Sequence, residues 1–322
     1  MNLSRLLVAA TVGAGLATHA VPVLAQAYPD KPVRIVVGAP PGSPGDFSVR
    51  LLSDKLPAIL KQPFLVENRP GAGGNIAAEA VASSPADGYT ILEFPDTLLT
   101  INPAVYQNLG FKPSDLIPLT YLATFSQMLV CHPAVKARTL KELLELAKIE
   151  KIASASGGNG VPGHVALELL KSSTGADFMH VPFKGPSPAA QSILGGQVQC
   201  GFLATPVVGP HVKAGKLTGL AVSGAKRSGL VPEVPTAAEA GVAGYDATFA
   251  EVLYVRRGTP EDVVNALNDA IERVLVQPDV RERLLAADLD PVGNRAAAAA
   301  VRLARDAEKW GKVVKTMNLQ LD

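Results

Sequence analysis

Three glycine-rich segments are the parts of this sequence best suited to chemistry. Each follows a short apolar run and precedes a predicted helix, and they span residues 38–46, 71–75 and 157–163. A strand that enters a helix through such a loop leaves backbone N–H groups free at the positive end of the helix dipole. These groups can bind a carboxylate or a phosphate. The sequence therefore predicts an anion site formed largely by the main chain.

Four polar side chains beside these loops could assist in binding. Asp46 stands at the start of the first long predicted helix, where an acid most often caps the helix, although its carboxylate could instead contact a ligand. Ser43 and Ser156 could donate hydroxyl hydrogens to an anion. His164 falls in the first turn after the third loop, where a role in holding the loop is more common than ligand contact.

Catalytic and cofactor motifs receive little support. Gly158, Gly160 and Gly163 match the G-x-G-x-x-G dinucleotide pattern, which also requires an acid about twenty residues later. Here the acid nearest to that position, Asp177, comes too early. The chain has no G-x-S-x-G motif, and its histidines show no metal-ligand spacing. We expect no catalytic residues, no metal and no cofactor. An enzyme that uses His164 or Asp46 as acid or base is the alternative.

The order of predicted elements indicates how these loops are positioned. Apolar runs alternate with helical patterns, which predicts an α/β fold with parallel-rich sheets covered by helices. We expect two lobes, one from residues 28–124 and 225–322 and one from 125–224, with the ligand between them. The predicted strands are 33–37, 64–67, 89–94, 128–131, 152–156, 178–181, 198–203 and 217–222.

The N-terminus predicts export. Residues 1–27 combine a basic start, an apolar stretch and the small-residue site Ala25-Gln26-Ala27, which is the pattern of a cleavable signal peptide. A membrane anchor is the alternative. The chain carries 30 basic and 29 acidic side chains with no basic run, which argues against nucleic acid or a membrane surface as partner. We expect a periplasmic protein.

Two cysteines, Cys131 and Cys200, fall on predicted strands. They could form a disulfide in an oxidising compartment if their strands were neighbours. Two buried, reduced cysteines are the alternative that we favour from the sequence.

Longer motifs run in order through the chain after residue 27. Among them are Val66-Glu-Asn-Arg-Pro-Gly-Ala-Gly-Gly-Asn75, Ile101-Asn-Pro-Ala104, His180-Val-Pro-Phe-Lys-Gly185 and Gly195-Gly-Gln-Val198. These motifs resemble those of the Bug-type (TctC-like) receptors, the substrate-binding components of tripartite tricarboxylate transporters. The resemblance covers essentially the whole chain that follows the predicted signal peptide.

The resemblance implies a periplasmic-binding-protein fold of the type II-like, Venus-flytrap kind. It also implies a monomer that binds a small carboxylated molecule and delivers it to membrane transporter subunits, or serves a signalling partner instead. The family positions that hold the carboxylate correspond here to Pro41, Gly42, Ser43, Asp46, Ser156, Gly157, Asn159, Gly160 and His164.

The chain also departs from the family pattern. Ser43 and Pro44 stand in the first loop, which is usually richer in glycine, so the loop is stiffer and lacks one N–H donor. Thr205 and Glu251 replace other residue types at expected ligand contacts. Glu251 could favour a ligand with a distal hydroxyl, amine or cation. The loop at 71–75 is expected to be structural.

Overall fold

The computed structural model describes residues 28–317 and 320–321, so the predicted signal peptide lies outside the described residues. The strands are β1 Val33–Val37, β2 Phe64–Asn68, β3 Thr90–Pro95, β4 Leu116–Cys131, β5 Ile152–Ser156, β6 Phe178–Pro182, β7 Cys200–Ala204, β8 Thr218–Val222, β9 Thr248–Arg256 and β10 Asp290–Pro291. The helices are α1 Pro44–Leu60, α2 Asn75–Ala82, α3 Thr97–Thr100, α4 Asn102–Val105, α5 Leu140–Leu146, α6 Pro162–Thr174, α7 Pro186–Leu194, α8 Thr205–Lys213, α9 Glu261–Leu275, α10 Pro278–Ala286 and α11 Ala296–Met317.

The strands form one continuous path in the order β2-β1-β3-β9-β4-β7-β5-β6, and β8 and β10 both pair with β4. Strand β1 is parallel to β2 and β3, and β5 is parallel to β6 and β7. We call β1, β2, β3, β9 and β10 with their helices the first lobe, and β5 to β8 with theirs the second lobe. The α/β prediction is confirmed, while the residue boundaries of the lobes stay a prediction.

The long strand β4 connects the two lobes. Its first part pairs antiparallel with β9, up to Ser126 opposite Thr248. Its last part, from Gln127 to Cys131, pairs antiparallel with β7. The sequence prediction found only the end of β4 and missed β9 entirely. Most residues of both strands are buried, so the polar and apolar alternation that marks a half-exposed strand is absent.

The prediction of two reduced cysteines is wrong. Cys131 lies directly opposite Cys200 in the β4–β7 pair, with 3.9 Å between their Cα atoms, and the two form a disulfide. The sequence could not reveal that the two cysteines are close, because they are 69 residues apart and meet only through the antiparallel pairing of β4 with β7.

The C-terminal helix α11 packs back on the long strands. The Trp310 ring stacks on Phe249 of β9 with their centroids 5.0 Å apart, and both side chains are buried. This contact anchors the end of the chain beside the connection between the lobes. No helix among the described residues is long and apolar enough to cross a bilayer.

Candidate functional site

A cavity of about 590 Å³ lies where the strands β1, β3, β5 and β6 end. Its walls come from the loops 38–45, 70–74, 157–163 and 182–186, together with side chains of β3, β4 and β9. All three glycine-rich loops thus meet at one cavity, at the carboxyl ends of parallel strands where α/β sheets bind ligands.

The first loop ends in a well-capped helix. Ser43 precedes α1 in an extended conformation, and its Oγ accepts a hydrogen bond from the Asp46 N–H at 3.3 Å. Its carbonyl accepts from Phe47 N–H at 3.0 Å, and Pro44 has no N–H to offer. Within the described residues, only the Gly45 N–H of this turn has no acceptor. Ser43 itself lines the cavity.

Asp46 holds this loop in place instead of lining the cavity. Its carboxylate accepts hydrogen bonds from Gly42 N–H at 2.9 Å, Asn68 Nδ2 at 2.9 Å and Arg50 Nε at 3.0 Å. Burial raises the pKa of Asp46, but the bonds from these partners outweigh it, so the pKa lies below its usual value. Pro41 and Gly42 also lie outside the cavity lining.

Two neutral histidines fix the third loop. Gly160 N–H donates to His164 Nδ1 at 3.1 Å, and Ser156 Oγ lies 2.6 Å from His180 Nε2. The two imidazoles stack with centroids 3.7 Å apart. Burial lowers the pKa of His164 to about 3 and that of His180 to about 4. Ser156, Gly160 and His164 therefore support the loop from behind the cavity wall.

The same loop presents free donors to the cavity. Gly157, Asn159 and Gly163 line it, and their N–H groups have no acceptor in the described part of the chain. Gly163 opens α6 so close to β7 that an added Cβ would lie 2.2 Å from the Phe202 carbonyl oxygen. This contact fixes the start of α6, and three main-chain donors with the helix dipole behind them face the cavity, an arrangement that favours an anion.

The loop at 71–75 also lines the cavity, and its expected structural role stays a prediction. Asn102 Nδ2 donates to the Gly73 carbonyl at 2.9 Å and to Asn75 Oδ1 at 2.8 Å, which ties this loop to α4. Gly73 has a φ of +59° and abuts Tyr106, so a side chain there would be both strained and crowded.

Contacts between the lobes border the cavity. Tyr106 Oη of the first lobe donates to the Asn159 carbonyl of the second at 3.0 Å. Elsewhere Pro40 packs against Gly185, where an added Cβ would lie 2.3 Å from Pro40 Cγ. Both contacts involve lining residues, so they close the lobes around the cavity.

Two carboxyl groups line the cavity as well. Glu251, a predicted site residue, lies on β9, and Glu93 lies on the adjacent strand β3. Burial raises the pKa of Glu93, and burial together with the charge of Glu93 raises that of Glu251. Thr205 is buried outside the lining and its Oγ1 donates to the Ser126 carbonyl at 3.0 Å.

Sequence reasoning missed Glu93 and Gln127 among the lining residues. Glu93 interrupts the apolar run Ile91-Leu92-Glu93-Phe94, and an acid inside a predicted buried strand was the available signal. Gln127 lies at the point where β4 leaves β9 and begins to pair with β7, which the sequence did not reveal.

Two α/β lobes that share a long strand and close on a cavity rich in main-chain donors define a solute-binding protein. The pattern of the tripartite tricarboxylate transporter family receptors (TctC) matches residues 48–319, and the chain belongs to this family. The predicted resemblance is thereby confirmed.

Relatives and solved structures agree with this assignment. Protein BugT of Bordetella pertussis is 33% identical over 327 residues, covering 100% of both chains. Rpa4515 of R. palustris, solved with adipate, is 30% identical with a TM-score of 0.87, covering 91% of this chain and 99% of its own. MatC from Rhodopseudomonas palustris, solved with bound malate, is 29% identical with a TM-score of 0.84, covering 89% and 100%.

Proposed function

We propose that this receptor captures a small carboxylated molecule in the cavity between its lobes. The observation that carries the proposal is the set of free N–H groups of Gly157, Asn159 and Gly163 at the start of α6. Each charge-assisted hydrogen bond to a carboxylate contributes about 1.5–3 kcal/mol. The ligands bound to Rpa4515 and MatC are carboxylates and support the same chemistry here.

Among the predicted site residues we assign direct ligand contact to Ser43, Gly157, Asn159 and Glu251, which line the cavity. The other predicted positions support these contacts from outside the lining, and they are Pro41, Gly42, Asp46, Ser156, Gly160, His164 and Thr205. Lys184 also lines the cavity and is exposed, so its ammonium group is available to a ligand carboxylate near the solvent.

The cellular role follows from the family. We propose a periplasmic monomer, exported by residues 1–27, that releases its ligand to the membrane subunits of a tripartite tricarboxylate-type transporter without chemical change. Closure through the Tyr106–Asn159 bond gives the bound state a shape that a partner can distinguish from the open one.

A thermal-shift screen followed by calorimetry tests the binding proposal. A ligand that binds only the folded state raises the melting temperature, and mono-, di- and tricarboxylates form the panel. We expect at least one carboxylate to bind with one-to-one stoichiometry and to be recovered unchanged after incubation. A panel without any shift would refute carboxylate binding, and conversion of a bound acid would indicate an enzyme.

A further inference from the structure

Glu93 and Glu251 form a pair at one side of the cavity. Glu93 is opposite Leu253 in the antiparallel β3–β9 pair, so Glu251 lies two residues along β9 on the same face of the sheet. Glu93 is fully buried and Glu251 is 2% exposed, yet both line the cavity. The two carboxyl groups are therefore close neighbours that border the ligand space.

No cationic partner is in place for this pair. The two carboxyl groups hydrogen-bond each other through a proton on one of them, and apart from that bond both oxygens of Glu93 and the Oε2 of Glu251 have no donor among the described residues. The other acids near the pair are Asp46 and Asp96. Among the described residues that line the cavity, the one basic side chain is Lys184, which lies on an exposed loop. Burying two neighbouring carboxyl groups is costly even when they share a proton, and a bound cationic group would compensate that cost.

The pair also occupies the end of the cavity where α1 begins. A Cβ added to Gly45 would lie 2.2–2.3 Å from the carboxyl atoms of Glu93, which packs against the first turn of that helix. The positive end of the α1 dipole thus faces a carboxyl group of the protein itself. Acceptors border the cavity here, whereas free donors border it at Gly157, Asn159 and Gly163.

We propose that the ligand carries a protonated amine as well as a carboxylate, and that Glu93 and Glu251 bind the amine while the α6 loop binds the carboxylate. This inference rests on the proposed function and narrows its substrate class to aminocarboxylates. The competing arrangement is a pair of carboxyl groups that keeps its protons and donates hydrogen bonds to a second ligand carboxylate.

Calorimetry with matched ligands separates these arrangements. One series compares 4-aminobutanoate, butanoate and succinate, and another compares 6-aminohexanoate, hexanoate and adipate. A third compares α-amino acids with the corresponding unsubstituted acids. In the series that fits the cavity, we expect the aminocarboxylate to bind about tenfold to hundredfold more tightly than the acid without nitrogen.

The pH dependence has opposite signs in the two arrangements. An ammonium group binds best to ionised carboxylates, so the affinity for the aminocarboxylate rises with pH over the range in which the pair, whose pKa values are raised by burial, loses its protons. The neighbouring groups that could also contribute are Asp46, Asp96 and Tyr254. If the protonated pair instead donates hydrogen bonds to a dicarboxylate, the affinity for the dicarboxylate falls over the same pH range.

The variant Glu251→Gln removes the proposed contact with little change in shape. We expect it to lose the preference for the aminocarboxylate and to raise the melting temperature of the empty protein, because one of two adjoining buried acids is removed. Glu282→Gln makes the same change on the exposed surface of α10 and should leave both properties unchanged.

The outcomes distinguish the two proposals. Binding of simple acids as tightly as aminocarboxylates, unchanged by Glu251→Gln, would overturn the ammonium site and leave the carboxylate receptor standing. Dicarboxylate binding that strengthens toward low pH would also overturn it in favour of a hydrogen-bond-donating pair. Failure of every acid and every aminocarboxylate to bind would refute the proposed function itself.

Discussion

The variant Tyr106→Phe tests whether the lobes close through the bond to Asn159. Tyr106 Oη donates to the Asn159 carbonyl at 3.0 Å, and the tyrosine side chain is buried between the loops at 71–75 and 157–163. Removing the hydroxyl deletes this one bond between the lobes and keeps the ring. An opened protein would solvate both groups, so the bond stabilises the closed state specifically.

The expected magnitude follows from one neutral hydrogen bond. Its net contribution is about 0.5–1.5 kcal/mol, which corresponds to about a two- to thirteenfold loss of ligand affinity. Because the bond holds the lobes together over the cavity, its loss should speed ligand release, and the faster dissociation rate should account for most of the lost affinity. Calorimetry gives the affinity, and stopped-flow fluorescence gives the rates.

Tyr28→Phe is the matched control. Its Oη donates to the Gly88 carbonyl at 2.7 Å, and neither residue lines the cavity. We expect this control to retain full affinity. If Tyr106→Phe bound ligand as tightly as the unmodified protein, or if both variants lost affinity equally, the closure argument would be refuted.

Three further predictions concern stability and the first loop. Burial raises the pKa of Asp96 to about 8, above its unfolded value near 3.9. Between these two pH values the folded state holds a proton that the unfolded state has lost. The free energy of unfolding therefore falls by about 1.4 kcal/mol per pH unit as the pH rises. In denaturant unfolding at about pH 6 and about pH 8, Asp96→Asn should lose less stability with rising pH than the unmodified protein. Replacing Cys131 and Cys200 by serine should lower the free energy of unfolding by about 4 kcal/mol, given the 69-residue separation, and an unchanged value in urea titration would contradict a stabilising disulfide. Ser43→Ala should cost about 1 kcal/mol of stability through loss of the cap to Asp46, and should also weaken ligand binding in calorimetry; unchanged affinity would exclude Ser43 as a contact.

The elements that depend on local pattern could be predicted from the sequence. Strands β1 and β5 follow from apolar runs, and the glycine-rich loops locate the helices after them. Helix α1 begins at Pro44, two residues before the predicted start at Asp46, because proline suits the first helical turn. Strand β9 and most of β4 could not be predicted this way. Their pairing is long-range, and their nearly continuous burial leaves no alternation to detect.

Some features of the candidate site could also be predicted from local sequence patterns, and others could not. The main-chain donors of the 157–163 loop were anticipated, because glycine spacing and a following helix carry that information. The role of Asp46 in supporting the first loop depends on Arg50 of the same helix and on Asn68 of strand β2, which is distant in sequence. The pairing of Glu93 with Glu251 depends on the register of β3 with β9, which no local pattern encodes.

The central claim is that a ligand carboxylate binds to the N–H groups at the start of α6. A crystal structure of the protein grown with the acid or aminocarboxylate that raises its melting temperature most tests this directly. The account predicts carboxylate oxygens about 2.7–3.1 Å from the nitrogens of Gly157, Asn159 or Gly163. A ligand bound outside this cavity, or bound inside it with its carboxylate away from these donors, would contradict the account.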